Sequence, residues 1–79
     1  MNATLKNHDY SFRKLQQANF HDMTFEQVDF SNADLSGANL SNCLCIDCDF
    51  SEAILKDASL QGTDFQNSRL CEADISGAN

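Results

Sequence analysis

The feature that most constrains this chain is a repeat of five residues that runs through nearly its whole length. Every fifth residue from Leu5 onward is large and apolar, apart from the smaller Cys45. The predicted core centres are Leu5, Tyr10, Leu15, Phe20, Phe25, Phe30, Leu35, Leu40, Cys45, Phe50, Leu55, Leu60, Phe65, Leu70 and Ile75. All eight alanines share one phase of the repeat, two residues ahead of the centre position, a phasing that random placement would give about once in 400,000 sequences. The repeat therefore governs the fold.

A period of five fits neither an α-helix nor a simple strand, whose apolar positions recur at about 3.6 and about 2 residues. Each unit reads small, polar, large, so three of its residues alternate inward and outward as in a short strand. The remaining pair is rich in Ser, Asn, Gln, Asp and Gly, which favour tight turns. Four bends of about 90° would close a coil of about 20 residues, and successive coils would stack at ~4.8 Å.

Three units carry a recognisable motif: residues 33–37 (ADLSG), 38–42 (ANLSN) and 73–77 (ADISG). They resemble the A(D/N)LXX motif of the pentapeptide-repeat protein family, and the resemblance covers essentially the whole chain. It implies an all-β fold, a right-handed quadrilateral parallel β-helix of about four coils. We expect one domain over residues 1–79, with an atypical capping coil at residues 1–20 and regular coils at 21–79 without a C-terminal cap. Phe12 is expected to fold over the capped end.

The cysteines admit two interpretations. Cys43, Cys45 and Cys48, with Cys71 further on, are spaced like a metal or redox site. The repeat favours the other interpretation, because the first three replace Ala or Leu at inward positions, where cysteine acts as a small hydrophobic residue. We therefore predict no metal, no cofactor and no catalytic residues, and we expect that the protein is not an enzyme. Free thiols and the lack of a secretory leader point to the cytoplasm.

The charge is strongly acidic and unevenly distributed. Five basic residues face twelve acidic ones, a net charge of −7, which argues against direct binding to nucleic acid or to an anionic membrane. Residues 1–20 hold three basic residues and one acidic residue, whereas residues 21–79 hold two basic and eleven acidic ones. Outward aspartates stack in a column that could bind a basic partner, unless Asp is there only as the commonest residue at its motif position. The predicted partner-binding residues are Asp9, Asp29, Asp49, Asp34 and Asp74.

Two further surfaces are candidates for contacts. Leu44 and Ile46 occupy outward positions that are polar in most other units, which makes them a candidate lateral contact. At the C-terminal end, residues 73–79 nearly repeat residues 33–39, and no capping sequence follows. An uncapped β-helix end exposes strand edges and apolar centres, and so favours association. This end is therefore either a homo-oligomer interface, which we favour, or the point at which a longer solenoid continues.

Two classes of function fit these observations. The first is a non-enzymatic protein-binding repeat module. Within the family, the segment at residues 48–58 is similar in style to Qnr-type quinolone-resistance proteins. The resemblance to those proteins and to the MfpA-type gyrase inhibitors implies that this chain is an acidic DNA mimic, which binds DNA gyrase or topoisomerase IV. The alternative is a structural or scaffolding module that assembles without a topoisomerase partner.

Overall fold

The computed structural model describes residues 3–79, which form a right-handed parallel β-helix with four faces. The first face holds four strands: β1 (Thr4–Lys6), β2 (Thr24–Glu26), β3 (Leu44–Ile46) and β4 (Asp64–Gln66). They form one parallel sheet in the order β1-β2-β3-β4. Each residue pairs with the one a full coil further on, as Leu5 does with Phe25. The all-β solenoid predicted from the repeat is confirmed.

The other three faces are narrower, and a single parallel bridge joins each coil to the next. The bridged columns are Asp9, Asp29, Asp49 and Arg69 on the second face, Lys14, Asp34, Ile54 and Asp74 on the third, and Asn19, Asn39 and Ser59 on the fourth. We refer to residues 3–20, 21–40, 41–60 and 61–79 as coils 1 to 4. Residues of the same motif position therefore stack along the axis of the solenoid.

The corners between faces are built on left-handed backbone. Every fifth residue from Asn7 to Gly77 has a positive φ, between 51° and 72°, a conformation that Asn, Asp and Gly adopt most readily. Corners after the second, third and fourth faces close with a turn hydrogen bond, such as that from the Ala33 N–H to the Phe30 carbonyl at 3.0 Å. A side chain on Gly62 would clash with Asn42 in the coil below. The chain can therefore turn every five residues without proline.

The core occupies coils 2 and 3, where each coil is covered on both sides. Phe30 and Phe50 stack there with ring centroids 4.7 Å apart and planes 10° apart. The buried apolar residues are Phe25, Val28, Phe30, Ala33, Leu35, Ala38, Leu40, Cys43, Cys45, Cys48, Phe50, Ala53, Leu55 and Ala58. Among the residues described, none forms a helix long and apolar enough to cross a membrane.

The two end coils differ from the prediction. Leu70 and Ile75 were predicted as core centres, but 38% and 57% of their surfaces are exposed, because no coil covers the outer side of coil 4. Phe12 does not fold over the N-terminal end. It lies at a left-handed corner and is 75% exposed. Residues 1 and 2 of the predicted capping coil lie outside the described residues, and the capping role itself stays a prediction.

Candidate protein-binding surface

The predicted aspartates lie on two neighbouring faces. Asp9, Asp29 and Asp49 form a continuous column of parallel bridges on the second face, and Arg69 ends that column. Asp34 and Asp74 lie on the third face, where Ile54 separates them. The structure therefore brings three of the five residues into direct register and places the other two around one corner.

Each of these aspartates holds the corner that follows it. The Asp29 Oδ1 accepts hydrogen bonds from the backbone N–H of Ser31 at 2.8 Å and from its hydroxyl at 2.6 Å. The same contact from the backbone N–H two residues on is made to Asp9, Asp34, Asp49 and Asp74, at 2.9 to 3.0 Å. Such a contact between an Asx side chain and the backbone stabilises a tight turn. The aspartates are therefore part of the fold as well as candidates for binding.

At four of these aspartates, the same hydrogen bonds lower the pKa of the carboxylate. The Ser11 hydroxyl and backbone N–H lower the pKa of Asp9. Hydrogen bonds from Ser36, Ser51 and Ser76 likewise lower the pKa of Asp34, Asp49 and Asp74. A hydrogen bond to the charged form favours that form. The carboxylates of Asp9, Asp34, Asp49 and Asp74 therefore stay ionised below the ordinary aspartate pKa of 3.8.

Sequence reasoning missed two glutamates at the corner between the acidic faces. Glu52 and Glu72 occupy left-handed positions one coil apart and are exposed. They connect the second-face and third-face aspartates into one negative surface, the acidic ridge, formed by Asp29, Asp34, Asp49, Glu52, Glu72 and Asp74. Among residues 3–79 the only contact within 4.0 Å between a basic and an acidic side chain joins His21 to Asp22, away from this ridge. The signal was present in the sequence, since both glutamates share the corner phase of the repeat.

The candidate lateral contact is less exposed than its sequence suggests. Leu44 and Ile46 lie on the outer side of β3, but both are half-buried. Strands β2 and β4 flank them, with Thr24 and Asp64 on either side of Leu44. The large apolar side chains that are exposed lie elsewhere: Phe12, Ile54, Leu70 and Ile75. The contact role of Leu44 and Ile46 stays a prediction.

The cysteines lie where the repeat placed them. Cys43, Cys45 and Cys48 are buried, and Cys71 is exposed on coil 4. The Cys43 thiol donates to the Phe20 carbonyl at 2.9 Å, and burial raises the pKa of Cys43. Within residues 3–79, no three His, Cys, Asp or Glu side chains are grouped to hold a metal ion, and no pocket is present.

Comparison with known sequences and structures shows what this architecture resembles. In the solved structure of HetL, a pentapeptide repeat protein involved in heterocyst differentiation regulation in the cyanobacterium Nostoc sp. strain PCC 7120, the match has a TM-score of 0.57 at 24% identity. It covers 95% of this chain and 39% of HetL. Rfr23 of the cyanobacterium Cyanothece 51142 matches with a TM-score of 0.52 at 20% identity, over 96% of this chain and 56% of Rfr23. The chain thus spans less than two thirds of either protein, and both matches show the fold alone.

A third solved structure is QnrB1, a plasmid-mediated fluoroquinolone resistance protein. It matches at 16% identity over 95% of this chain and 61% of QnrB1, with a TM-score of 0.34, too low to carry an argument. No curated protein sequence matches this chain. The family described as Pentapeptide repeats (8 copies) matches residues 11–42, 33–70 and 48–79. These matches together cover all but the first ten residues, and the chain belongs to the pentapeptide-repeat family.

Proposed function

We propose that this chain is a non-enzymatic protein-binding module whose acidic ridge binds the basic, DNA-binding surface of a protein partner. The finer candidate for that partner is DNA gyrase or topoisomerase IV, for which the solenoid would stand in place of a DNA segment. The observation that carries the proposal is the charge per unit length along the solenoid.

The negative charge per unit length of the solenoid can be compared directly with that of DNA. Residues 21–79 hold eleven acidic and two basic residues, a net charge of −9. Coils 2 to 4 stack at the strand spacing and so rise about 14 Å. B-DNA carries one negative charge per about 1.7 Å of its axis, or about 8 charges over that length. A surface shaped to receive DNA would therefore meet a similar negative charge on these three coils.

The chemistry of the side chains supports a role in binding. The inward side chains fill the interior of coils 2 and 3, and the polar side chains lie on the outside, where they hold corners or face solvent. Three of the ridge carboxylates, Asp34, Asp49 and Asp74, have pKa values that are lowered by the corner serines, which favours their charged form. The free thiols Cys43, Cys45 and Cys48 fit a reducing compartment, so we place this function in the cytoplasm.

The test is inhibition of gyrase supercoiling by the purified chain, compared with two triple variants of equal charge. The ridge variant carries Asp29→Asn, Asp49→Asn and Glu52→Gln. Asparagine keeps the corner, because the Asn39 Oδ1 already accepts the same two bonds from Ser41 at 3.0 and 2.7 Å. The control variant carries Glu26→Gln, Asp47→Asn and Asp64→Asn, in or next to the strands of the first face.

The ridge variant should need about tenfold more protein for half inhibition, since each exposed charge pair contributes about 0.5 kcal/mol. The control should behave like the parent chain, and added salt should weaken inhibition because it screens charge. Equal weakening by both variants would show that total charge, and not the ridge, is recognised. No inhibition by the parent chain at large excess would reject the topoisomerase partner.

A second candidate function is an assembly module without a topoisomerase partner. The observation that favours it is the exposure of apolar centres at the end of coil 4, where Leu70 and Ile75 face no further coil. Self-association through this end would bury them. Supercoiling activity would then be unaffected by the chain at any concentration.

A further inference from the structure

The backbone hydrogen bonds between coils have a direction. On the second face, coil 2 donates forward twice to coil 3, from the Phe30 N–H to the Asp49 carbonyl at 2.7 Å and from the Asn32 N–H to the Ser51 carbonyl at 3.0 Å. Coil 3 donates back once, from the Asp49 N–H to the Val28 carbonyl at 3.1 Å. The third face repeats this pattern between the same coils. On each of these faces a coil therefore offers two donors and one acceptor on its C-terminal side, and two acceptors and one donor on its N-terminal side.

The two ends of the solenoid show the same imbalance between hydrogen-bond donors and acceptors. At the end of coil 4, the forward donors of the second and third faces have no backbone acceptor among the described residues; they are the N–H groups of Leu70, Glu72, Ile75 and Gly77. At the start of coil 1, the matching acceptors have no backbone donor among those residues; they are the carbonyls of Asp9, Ser11, Lys14 and Gln16. Two C-terminal ends brought face to face would bring together four donors and two acceptors on each of these faces, so donors would be left without partners. A C-terminal end placed on an N-terminal end matches donors to acceptors.

The outward charges match in the same register. If coil 1 of a second copy continued the solenoid beyond coil 4, the 20-residue offset of the bridges would place its Asp9 next to Arg69 and its Lys14 next to Asp74. Opposite charges already neighbour each other in this way inside the chain, where Arg69 bridges to Asp49 and Lys14 bridges to Asp34. Both columns at the junction would therefore join opposite charges, whereas two C-terminal ends would bring together ends that each carry two acidic residues, Glu72 and Asp74, against one basic residue, Arg69.

The apolar centres match as well. In this register the exposed Leu70 and Ile75 would be covered by the half-buried Tyr10 and Leu15 of the second copy. These are the same columns that stack inside the chain, where Tyr10 lies against Phe30 with ring centroids 5.5 Å apart. Covering the end would remove from water the two largest apolar surfaces of coil 4.

We propose that copies of this chain associate head to tail, with coil 1 of one copy continuing the β-helix from coil 4 of the next. The inference goes beyond the proposed lateral binding and does not depend on it. Because the two contacting surfaces differ, such an interface is heterologous and does not close at a dimer.

The first measurement is sedimentation velocity of the chain across a wide concentration range. We expect species that grow in steps of 8.8 kDa and continue beyond the dimer. A chain that stays monomeric at the highest concentration, or that stops at a dimer, would overturn the proposal.

Paired charge reversals then test the register. Asp74→Lys alone would place a lysine against Lys14 of the next copy, and Lys14→Asp alone would place an aspartate against Asp74. Like charges would then face each other, so each variant by itself should associate about tenfold more weakly. An equimolar mixture should recover association, because each C-terminal end now meets an opposite charge on the N-terminal end of the other variant. A misfolded variant could not be rescued in this way. Asp47→Lys, a charge change equal to that of Asp74→Lys but at an exposed corner of coil 3, is the matched control and should associate like the parent.

The outcomes separate this interface from its rivals and from the proposed function. A tail-to-tail dimer would be insensitive to Lys14→Asp, so full association of that variant by itself would contradict the head-to-tail register. Failure to recover association in the mixture would also contradict it. Supercoiling inhibition is read in a separate assay on the ridge variants, so either proposal can fail while the other stands.

Discussion

Leu55 and Ile75 occupy the same column of centres, one coil apart, yet their surroundings differ completely. Leu55 is fully buried, with coils on both sides, whereas 57% of the Ile75 surface is exposed. Replacing each by alanine removes a similar volume from the same motif position. The comparison therefore measures how much stability a centre gains from being covered by a second coil.

The expected costs differ by several-fold. Replacing a fully buried leucine by alanine costs about 2–5 kcal/mol, since the loss of transfer free energy is joined by the cost of a cavity. Less than half of the Ile75 surface is buried, so Ile75→Ala should lower the free energy of unfolding by about 1 kcal/mol or less. A chain of this size is stabilised by about 4–12 kcal/mol in total, at about 0.05–0.15 kcal/mol per residue. Leu55→Ala should therefore remove a large fraction of the stability.

Urea unfolding followed by circular dichroism, at a concentration low enough to keep the chain monomeric, would measure both costs. We expect a much lower midpoint for Leu55→Ala and a small shift for Ile75→Ala. Equal costs would refute the reasoning, because they would mean that Ile75 is covered in the monomer. If copies stack as proposed, the cost of Ile75→Ala should rise with protein concentration while that of Leu55→Ala should not.

Two further predictions concern acid stability and thiol reactivity. The pKa of Asp34 is lowered by Ser36, so this contact stabilises the fold above the ordinary pKa of 3.8 and is lost as the pH falls through the lowered value. Ser36→Ala should therefore lower the melting temperature more at about pH 6 than at about pH 2, and equal losses at both would contradict this. A thiol reagent added to the native chain should modify Cys71 quickly and the buried Cys43, Cys45 and Cys48 only on unfolding, and more than one fast thiol per chain would contradict it.

The fold could be predicted from the sequence because one short-range rule is repeated in every unit. The alternation around each centre sets a three-residue strand, and the left-handed corner favours Asn, Asp or Gly, which occupy most of the corners. Burial could not be predicted in the same way. Leu55 and Ile75 have the same phase, but burial depends on a neighbouring coil, which the unit itself does not encode.

The candidate surface was only partly predictable for a similar reason. The column of Asp9, Asp29 and Asp49 followed from the coil length alone. The role of the serine two residues after each aspartate did not, because a hydrogen bond between a side chain and a corner depends on the backbone at that corner. Glu52 and Glu72 were overlooked because their position was interpreted only as a turn, although a left-handed corner also points its side chain to solvent.

End-to-end association would use an acidic side chain that lateral binding also uses. Asp74, a residue of the ridge, would be used at the junction between copies, which leaves Asp29, Asp34, Asp49, Glu52 and Glu72 for lateral binding. In a head-to-tail stack, each acidic stretch of about 14 Å would be followed by coil 1, where residues 1–20 carry three basic residues and one acidic residue. A DNA-binding surface longer than one stretch would therefore meet repulsive charge, so longer stacks should bind such a surface no more tightly than a single chain does.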